Sequence, residues 1–145
     1  MTSPDEQDGT VNVAVENGIA TVTFWHHRKN SLPASLLARL IEAFAGLASN
    51  RDARVVILAS DGPGTFCAGA SFDELRSITS EEEGKEFFSG FARLILAMRR
   101  CPKIILGRIH GKAVGGGVGL VAATDYAFAL ASSSVRLSEE GRLMP

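Results

Sequence analysis

A run of glycines late in the sequence constrains the fold more than any other stretch. Residues 115–117 are all glycine, and Gly119 follows after a single valine. Glycine loses more backbone freedom on folding than any other residue, so the run is costly unless a backbone must approach something closely. An apolar run, residues 104–109, precedes it, and residues 120–123 can be helical. A strand, a glycine turn and a helix start bring unpaired N–H groups and a positive dipole end together, which predicts a site for developing negative charge.

The remaining sequence alternates between strand-like and helix-like patterns. Two runs of period-two alternation flank Asn17-Gly18 and predict a β-hairpin over residues 11–24. Apolar residues at helical spacing predict helices over about residues 32–48 and from Ser80 to Cys101. Strands separated by helical crossovers indicate an α/β fold with a largely parallel sheet. The later strands are predicted at residues 54–59, 103–109, 126–131 and 135–137.

Residue types predict the local structure at three further places. Pro33 suits the first turn of the first helix, with Asn30 or Ser31 near its cap. The continuous apolar run at residues 55–58 is typical of a strand that is covered on both faces. Residues 60–71 contain too much glycine for regular structure and are predicted to form a loop.

Composition narrows the class of protein. With 145 residues, 46% of them apolar, the chain is expected to form one domain with its own core. The net charge of −1 disfavours nucleic acid as a partner, and no apolar run approaches the ~20 residues of a membrane span. The polar, acidic residues 1–10 predict a disordered tail without a targeting signal, so the protein is expected in the cytoplasm. Since no helix follows the last predicted strand, the chain is expected to be the N-terminal part of something larger.

Two glycine loops, at residues 62–71 and 111–119, each follow a predicted buried strand. Ligands of open α/β sheets bind beyond the carboxyl ends of the strands, so both loops are expected to face one site. Each loop can present backbone N–H groups, which is how an oxyanion hole is built. An alternative interpretation is that both loops are only tight turns, and the sequence supports it about as well as it supports an oxyanion hole.

Nucleotide-binding motifs account for the second loop less well. Residues 117–122 match the dinucleotide pattern G-x-G-x-x-A, and Glu139 lies where a ribose-binding acid is expected. However, the following helix has room for barely two turns, and no second nucleotide-binding half follows. No Gly-Lys-Ser/Thr sequence occurs, which excludes a P-loop.

Few side chains suggest chemistry by themselves. Cys67 is expected to be a small core residue, because no basic partner is near it in sequence. Cys101 adds neither a disulfide framework nor metal-ligand spacing. Asp73 is expected to begin or face a short helix, and His110 to cap a strand end. Without other information, Glu139 is expected in a solvated loop.

Four segments together resemble the crotonase (enoyl-CoA hydratase/isomerase) superfamily, in the order that the family has them. They are His-Arg-Lys-Asn-Ser-Leu at residues 27–32, Phe-Cys-Ala-Gly-Ala at 66–70, Gly-Lys-Ala-Val-Gly-Gly-Gly at 111–117 and Leu-Ser-Glu at 137–139. The resemblance implies a crotonase-like fold, in which turns of stacked, largely parallel sheets are flanked by helices. It also implies one acyl-CoA-binding domain over residues 11–145 that lacks the family's C-terminal helical part.

The same resemblance implies the roles of individual residues. The thioester oxygen of an acyl-CoA would lie between the N–H groups of Ala70 and Gly116, which stabilise an enolate-like intermediate, and Glu139 would be the acid–base residue. CoA-binding residues are expected at Arg28, Lys29, Ala68, Gly69, Ser71, Phe72 and Gly115. A side chain at the loop glycines would block the carbonyl. No metal or cofactor is expected besides the CoA of the substrate, and the resemblance implies a homo-oligomer, a trimer or a dimer of trimers.

The sequence departs from the family where acid–base chemistry is decided. Hydratases of the family carry a first glutamate two residues past the triple glycine, and this chain has Gly119 there. The resemblance implies an enoyl-CoA hydratase/isomerase, and isomerase or decarboxylase chemistry through a single glutamate stays open, with Asp73 as a substitute acid. The final segment is about one residue short of the family pattern, so either Glu139 or Glu140 is expected to face the substrate. The further alternative is an inactive truncated protein that binds CoA or forms oligomers.

Overall fold

The computed structural model describes residues 8–137, and all structural statements concern that range. The strands are β1 Thr10–Glu16, β2 Ile19–Trp25, β3 Ser31–Leu32, β4 Val55–Ser60, β5 Thr65–Cys67, β6 Gly69–Ala70, β7 Ile104–Ile109, β8 Lys112–Val114, β9 Tyr126–Ala129 and β10 Val135–Arg136. The helices are α1 Ala34–Ser49, α2 Phe72–Ser77, α3 Glu81–Arg100 and α4 Gly116–Ala123.

Three sheets organise these strands. The largest has the order β1-β2-β4-β7-β9, and only its β1–β2 pair is antiparallel. The second has the order β10-β8-β5 and the third pairs β3 with β6, and both are parallel. The predicted α/β fold with largely parallel sheets is confirmed.

The hairpin forms in the predicted register. Glu16 pairs with Ile19 across the two-residue turn, so Val13 lies opposite Val22. Asn17 and Gly18 both have positive φ, at 52° and 81°, as the turn that suits twisted strands requires. The first strand begins one residue before the predicted hairpin. Thr10 starts β1 and Gly9 is buried, with its carbonyl accepting a hydrogen bond from Arg39 Nη1 at 3.0 Å.

The core lies between the large sheet and helices α1 and α3, which pack against each other. Alternate residues of β2, namely Ala20, Val22 and Phe24, are fully buried, as period-two patterning predicts. The second sheet and α4 complete the core. Its largest buried side chains are Phe24, Phe44, Phe66, Leu32, Leu36, Leu40, Leu58, Leu94, Met98, Ile105 and Leu120.

The opposite face of the large sheet is not covered by the described residues, contrary to the prediction from the apolar run at 55–58. In β4 the residues alternate, with Val56 buried and Val55 only half-buried. Ile104, Tyr126 and Phe128 on the same outer face are 57%, 62% and 60% exposed. None of the described helices combines the length and apolarity that crossing a membrane requires.

The N-terminus of helix α1 is capped by a residue that is distant in sequence. Pro33 occupies the N-cap, and neither Asn30 nor Ser31 provides the predicted cap. Instead, both carboxylate oxygens of Glu74 accept hydrogen bonds from the Ala34 N–H, at 3.0 and 2.9 Å. In contrast, α3 begins as predicted, since Ser80 Oγ accepts from the Glu83 N–H at 3.1 Å.

The first glycine loop contains regular structure, so the prediction of an irregular loop over residues 60–71 is wrong. Strands β5 and β6 lie within it, and each pairs in parallel with a segment distant in sequence. The glycines of this stretch lie beside or within two very short strands, so a high glycine content does not exclude regular structure here.

Candidate active site

The two glycine loops pack directly against each other. Thr65 pairs with Lys112 and Cys67 with Ala113, and the Lys112 N–H donates to the Gly64 carbonyl at 3.1 Å. His110 Nε2 adds a 2.6 Å hydrogen bond to the Gly62 carbonyl. The two loops, which the sequence predicts to face one site, are therefore joined by hydrogen bonds into one unit.

The loops also approach each other closely beside the predicted oxyanion residues. A Cβ placed on Gly69 would lie 3.2 Å from the Gly116 backbone N and 2.8 Å from the Val114 carbonyl oxygen. Gly69 also has φ +90°, a conformation that side chains disfavour. Since Ala70 follows Gly69 in the same strand, the backbones of Ala70 and Gly116 lie in one small region.

The Gly116 N–H belongs to the first turn of α4. Gly115 is the N-cap residue with φ +55° and ψ −120°, and Gly116 is the first helical residue. Its N–H is therefore one of the four that find no acceptor within a helix. The Gly115 N–H donates to the Arg136 carbonyl at 2.9 Å, which fastens β10 beside this turn.

A side chain at position 116 would point into a region that protein already occupies. The explanation that this side chain would block a bound carbonyl is therefore wrong. A Cβ on Gly116 would lie 2.5–2.8 Å from three carbons of the Phe91 ring. A Cβ on Gly117 would lie 2.4 Å from the Cys67 carbonyl oxygen. These glycines let α4 approach α3 and the first loop.

A cavity of about 310 Å³ lies beside the first loop and brings six of the predicted site residues together. Its lining is Arg28, Lys29, Ser31, Ala68, Ala70, Ser71, Phe72, Asp73 and Arg76. Three cations and one acid face it, so its lining carries a net positive charge. We call this space the cation cavity.

Arg76 is the residue that sequence reasoning missed. It lies in the last turn of α2, four residues after Phe72, so the two side chains share one face of that helix. Helical spacing from Phe72 was the available signal. Asp73, considered as a substitute acid, lines the cation cavity and begins the same helix.

A hydrogen-bonded network holds the segment that carries Arg28 and Lys29. His26 Nδ1 accepts from the Arg28 N–H at 3.1 Å and lies 3.3 Å from Ser31 Oγ. The side chain of Asn30 bonds to the carbonyls of Asp61 and Thr65. His27 stacks on His26, with ring centroids 4.5 Å apart.

Cys67 is a core residue, as predicted. It is completely buried, and burial raises the pKa of its thiol to about 12, while a hydrogen bond to the Gly69 backbone acts in the opposite direction. The thiol therefore stays protonated at neutral pH and does not act as a nucleophile.

A larger cavity, of about 570 Å³, lies between α1, α2 and α3, and its lining includes Leu37, Ile41 and Phe87. At its rim Arg93 and Glu86 form an exposed ion pair at 2.6 Å, and Arg93 lowers the pKa of Glu86. None of its lining residues belongs to either glycine loop, so we assign the site to the smaller cation cavity.

Three features considered in the sequence bear on catalytic chemistry. Within residues 8–137, no group of three or more His, Cys, Asp or Glu side chains is arranged to hold a metal ion. Glu139 and Glu140 lie outside the described residues. Gly119 lies on α4, and a Cβ there would have one neighbour, Ile95 Cδ1 at 3.4 Å.

Comparison with known proteins identifies the family of this chain. The sequence model of the family described as enoyl-CoA hydratase/isomerase matches residues 14–141. The chain belongs to the enoyl-CoA hydratase/isomerase family. The resemblance to crotonases, inferred from four short segments, is thereby confirmed.

Individual relatives of the family agree. The chain is 36% identical over 111 residues to human mitochondrial methylglutaconyl-CoA hydratase, covering 77% of this chain and 32% of that protein. It is 27% identical over 130 residues to chicken ethylmalonyl-CoA decarboxylase, covering 88% and 43%. It matches the crystal structure of an enoyl-CoA hydratase from Mycobacterium smegmatis with a TM-score of 0.86 and 32% identity, covering 92% of this chain and 52% of that one.

These matches confirm the crotonase-like fold. The chain spans about a third to a half of the length of the relatives it matches.

Proposed function

We propose that this chain binds an acyl-CoA thioester and stabilises an enolate-like anion at the thioester carbonyl, as part of an enoyl-CoA hydratase/isomerase reaction. The observation that carries the proposal is the packing of the two glycine loops, with Gly69 and Gly116 in near contact beside Ala70. Backbone donors held by a rigid fold cost little reorganisation when charge develops, and losing one typically costs ~3–4 kcal/mol of transition-state stabilisation.

The cation cavity supports the CoA part of the proposal. Ala70, one proposed oxyanion donor, lines the same cavity as Arg28, Lys29 and Arg76. The CoA nucleotide carries several phosphate charges, and the planar guanidinium groups of arginine bind phosphate oxygens in pairs. The cavity would therefore take the nucleotide while the thioester reaches the glycine loops.

The acid–base role is proposed for Glu139. The Arg136 carbonyl is bonded to the Gly115 N–H, at the head of the second glycine turn. Three residues of extended chain span at most ~11 Å, so covalent connection alone keeps residue 139 within that distance of Arg136. Because Gly119 supplies no second carboxylate, one glutamate would shuttle the proton, which favours a pKa near the working pH.

The test of this role compares two adjacent glutamates in the protein. Hydration of crotonyl-CoA and isomerisation of a 3-enoyl-CoA are measured for wild type, Glu139→Gln and Glu140→Gln. We expect Glu139→Gln to lower the faster reaction by roughly 100-fold or more, since positioned general acids and bases contribute that much. Glu140→Gln should retain the wild-type rate. If Glu139→Gln leaves both rates unchanged, the assigned role is wrong.

The phosphate part has a separate test. Arg76→Ala should weaken the binding of acetyl-CoA roughly tenfold, equivalent to about 1.4 kcal/mol, and leave acetyl-pantetheine unaffected. Arg99→Ala, which changes an exposed arginine in the last turn of α3, is the matched control. An equal loss for both ligands would mean that Arg76 does not contact the nucleotide.

A second candidate function is CoA binding without turnover. It follows from Gly119, which supplies no carboxylate at the position where the resemblance places the first glutamate of the family's hydratases. Titration calorimetry with a CoA thioester, combined with the two activity assays, separates the candidates. Micromolar binding with no turnover of either substrate would favour the second.

We also propose that the protein is a homo-oligomer, as its family resemblance implies. Strand β9 forms one edge of the large sheet, and its alternate residues Tyr126 and Phe128 are exposed. Exposed edges with apolar side chains are surfaces that soluble proteins normally cover. Light scattering should show that Phe128→Glu lowers the molecular mass of the assembly. Phe88→Glu, which changes a phenylalanine 62% exposed on α3, should not.

A further inference from the structure

A buried asparagine lies at the base of the segment that carries Arg28 and Lys29, residues 26–31, which we call the cation loop. Asn30 is 3% exposed. Its Nδ2 donates to the Asp61 carbonyl at 2.7 Å and to the Thr65 carbonyl at 3.0 Å. Its Oδ1 accepts from the His26 N–H at 2.8 Å. Both Nδ2 hydrogens and the side-chain oxygen are thus used.

The partners of Asn30 belong to different segments. Asp61 and Thr65 flank the first turn of the first glycine loop, whereas His26 begins the cation loop. The main chain of Asn30 adds two bonds, from its N–H to the His26 carbonyl at 3.0 Å and from the Ala68 N–H to its carbonyl at 3.4 Å. One residue therefore joins the cation loop to both ends of β5.

The backbone at this point is strained. Lys29 and Asn30 have φ of 54° and 59°, so two consecutive residues with side chains adopt the left-handed conformation. Such conformations persist where surrounding contacts determine them. The five hydrogen bonds of Asn30 are the contacts that do so here, and they fix where the exposed side chains of Arg28 and Lys29 begin.

The pairing of β3 with β6 connects the cation loop to the region of the proposed oxyanion donors. Ser31, directly after Asn30, pairs with Gly69, and Leu32 pairs with Ala70. A displacement of the cation loop would therefore move the strand that carries the Ala70 N–H.

We propose that Asn30 is a positioning residue that locks the cation loop to the first glycine loop. It thereby sets the separation between the groups that hold the CoA phosphates and the Ala70 N–H that meets the thioester carbonyl. The effect on ligands rests on the proposed function, whereas the coupling between the two loops does not.

The experiment compares two asparagines with similar backbone strain. Asn17 has φ 52°, is exposed and lies in the hairpin turn, so Asn17→Ala imposes the same left-handed alanine as Asn30→Ala without removing this network. Asn30→Gly removes the side chain while relieving the backbone, which keeps a folded variant available. Amide hydrogen exchange is measured without ligand, and affinities are measured for acetyl-CoA and acetyl-pantetheine.

We expect Asn30→Gly and Asn30→Ala to speed exchange at least tenfold at residues 28–31 and 68–70, with hairpin amides unchanged. The preference for acetyl-CoA over acetyl-pantetheine should fall severalfold, with the share that Arg76 contributes retained, whereas Asn17→Ala should change neither result. Equal acceleration throughout the chain, or an unchanged ligand preference in Asn30→Gly, would overturn the inference. If the wild type binds neither ligand, the proposed function fails, and the exchange result still decides whether Asn30 couples the loops.

Discussion

The two glycine loops use the same residue for different physical reasons. In the first loop, Gly62, Gly64 and Gly69 have φ of 92°, 81° and 90°. A Cβ on Gly64 would meet nothing within 4 Å, so this position needs glycine for its backbone conformation and not for space. The first loop is therefore shaped mainly by backbone freedom, although Gly69 also lacks room, since a Cβ there would lie 2.8 Å from the Val114 carbonyl oxygen.

In the second loop, glycine mainly provides room. Gly111, Gly116 and Gly117 have ordinary φ, yet a Cβ on each would lie 2.4–2.5 Å from another atom. Those atoms are carbonyl oxygens of the first loop for Gly111 and Gly117, and the Phe91 ring for Gly116. Gly115, with its positive φ at the helix cap, is the exception. In the first loop glycine mainly permits positive φ, and in the second loop glycine mainly permits close packing against other parts of the protein.

The largest expected effect tests the requirement for space. Gly117→Ala would place its Cβ 2.4 Å from the Cys67 carbonyl oxygen, a backbone atom that cannot rotate away. Overpacking typically costs 1–3 kcal/mol, and we expect about 3 kcal/mol or more because the obstacle is backbone. Thermal unfolding followed by circular dichroism should show a melting temperature lower by about 10 °C or more. An unchanged melting temperature would mean that the loops are not in contact.

A smaller effect concerns Cys67, the first-loop residue against which Gly117 packs. Burial raises its pKa to about 12, whereas the unfolded thiol titrates near 9.0, so only the unfolded state loses this proton as pH rises above 9. The stability that Cys67 contributes is thus complete below pH 9 and is lost progressively as pH rises towards about 12. Roughly 2 kcal/mol of unfolding free energy should be lost by about pH 10.5.

Urea denaturation at pH 8 and about pH 10.5 measures this loss. Other groups also titrate in this range, so the control is Cys67→Ala, which removes only the cysteine contribution. Wild type should lose more stability between the two pH values than Cys67→Ala does. Equal losses would show that the thiol is accessible in the native protein.

A third effect, of about 1 kcal/mol, tests the requirement for backbone freedom. Gly64→Ala meets no steric obstacle but forces an alanine into φ +81°, which costs about that much in unfolding free energy. Asparagine tolerates positive φ better, so Gly64→Asn should lose less. Chemical denaturation of the three proteins provides the ranking. A neutral Gly64→Ala would show that this loop has no fixed conformation.

The smallest effect has the opposite sign. Gly119 lies in α4 with ordinary φ, and a Cβ there would reach only Ile95 Cδ1, at 3.4 Å. Gly119→Ala should therefore stabilise the protein by about 0.5–1 kcal/mol through reduced backbone entropy in the unfolded chain. Gly46→Ala, in a helical position with no neighbour within 4 Å, is the matched control and should give a similar gain in melting temperature. If Gly119→Ala is destabilising and Gly46→Ala is not, then position 119 requires glycine for space, as positions 116 and 117 do.

The sequence predicted the features that local periodicity encodes. The hairpin around Asn17-Gly18 and the amphipathic helices α1 and α3 follow from apolar spacing that any short window contains. Strands of two or three residues, such as β3 and β6, are too short for a period and exist only because a distant segment pairs with them. The cap of α1 by Glu74 was invisible for the same reason, since the two are 40 residues apart.

The candidate site divides in the same way. Ala70 and Gly116 were predicted because short motifs identify them, and the structure brings their loops together. The network of Asn30 was not predicted, because its carbonyl partners at Asp61 and Thr65 are 31 and 35 residues away. Backbone carbonyls of loops leave no signal in the side-chain pattern. Arg76 was missed although its helical spacing from Phe72 was readable.

The distant capping of α1 has a consequence for the order of folding. The helix carries no acidic residue in its first turn and no basic residue in its last. Glu74 binds its first turn, and Lys103 Nζ binds the carbonyls of Leu47 and Asn50 at its end, so both dipole ends are neutralised from outside. The segment that forms α1 is synthesised before Glu74 and Lys103, so both of its end contacts can form only after residue 103 has been added.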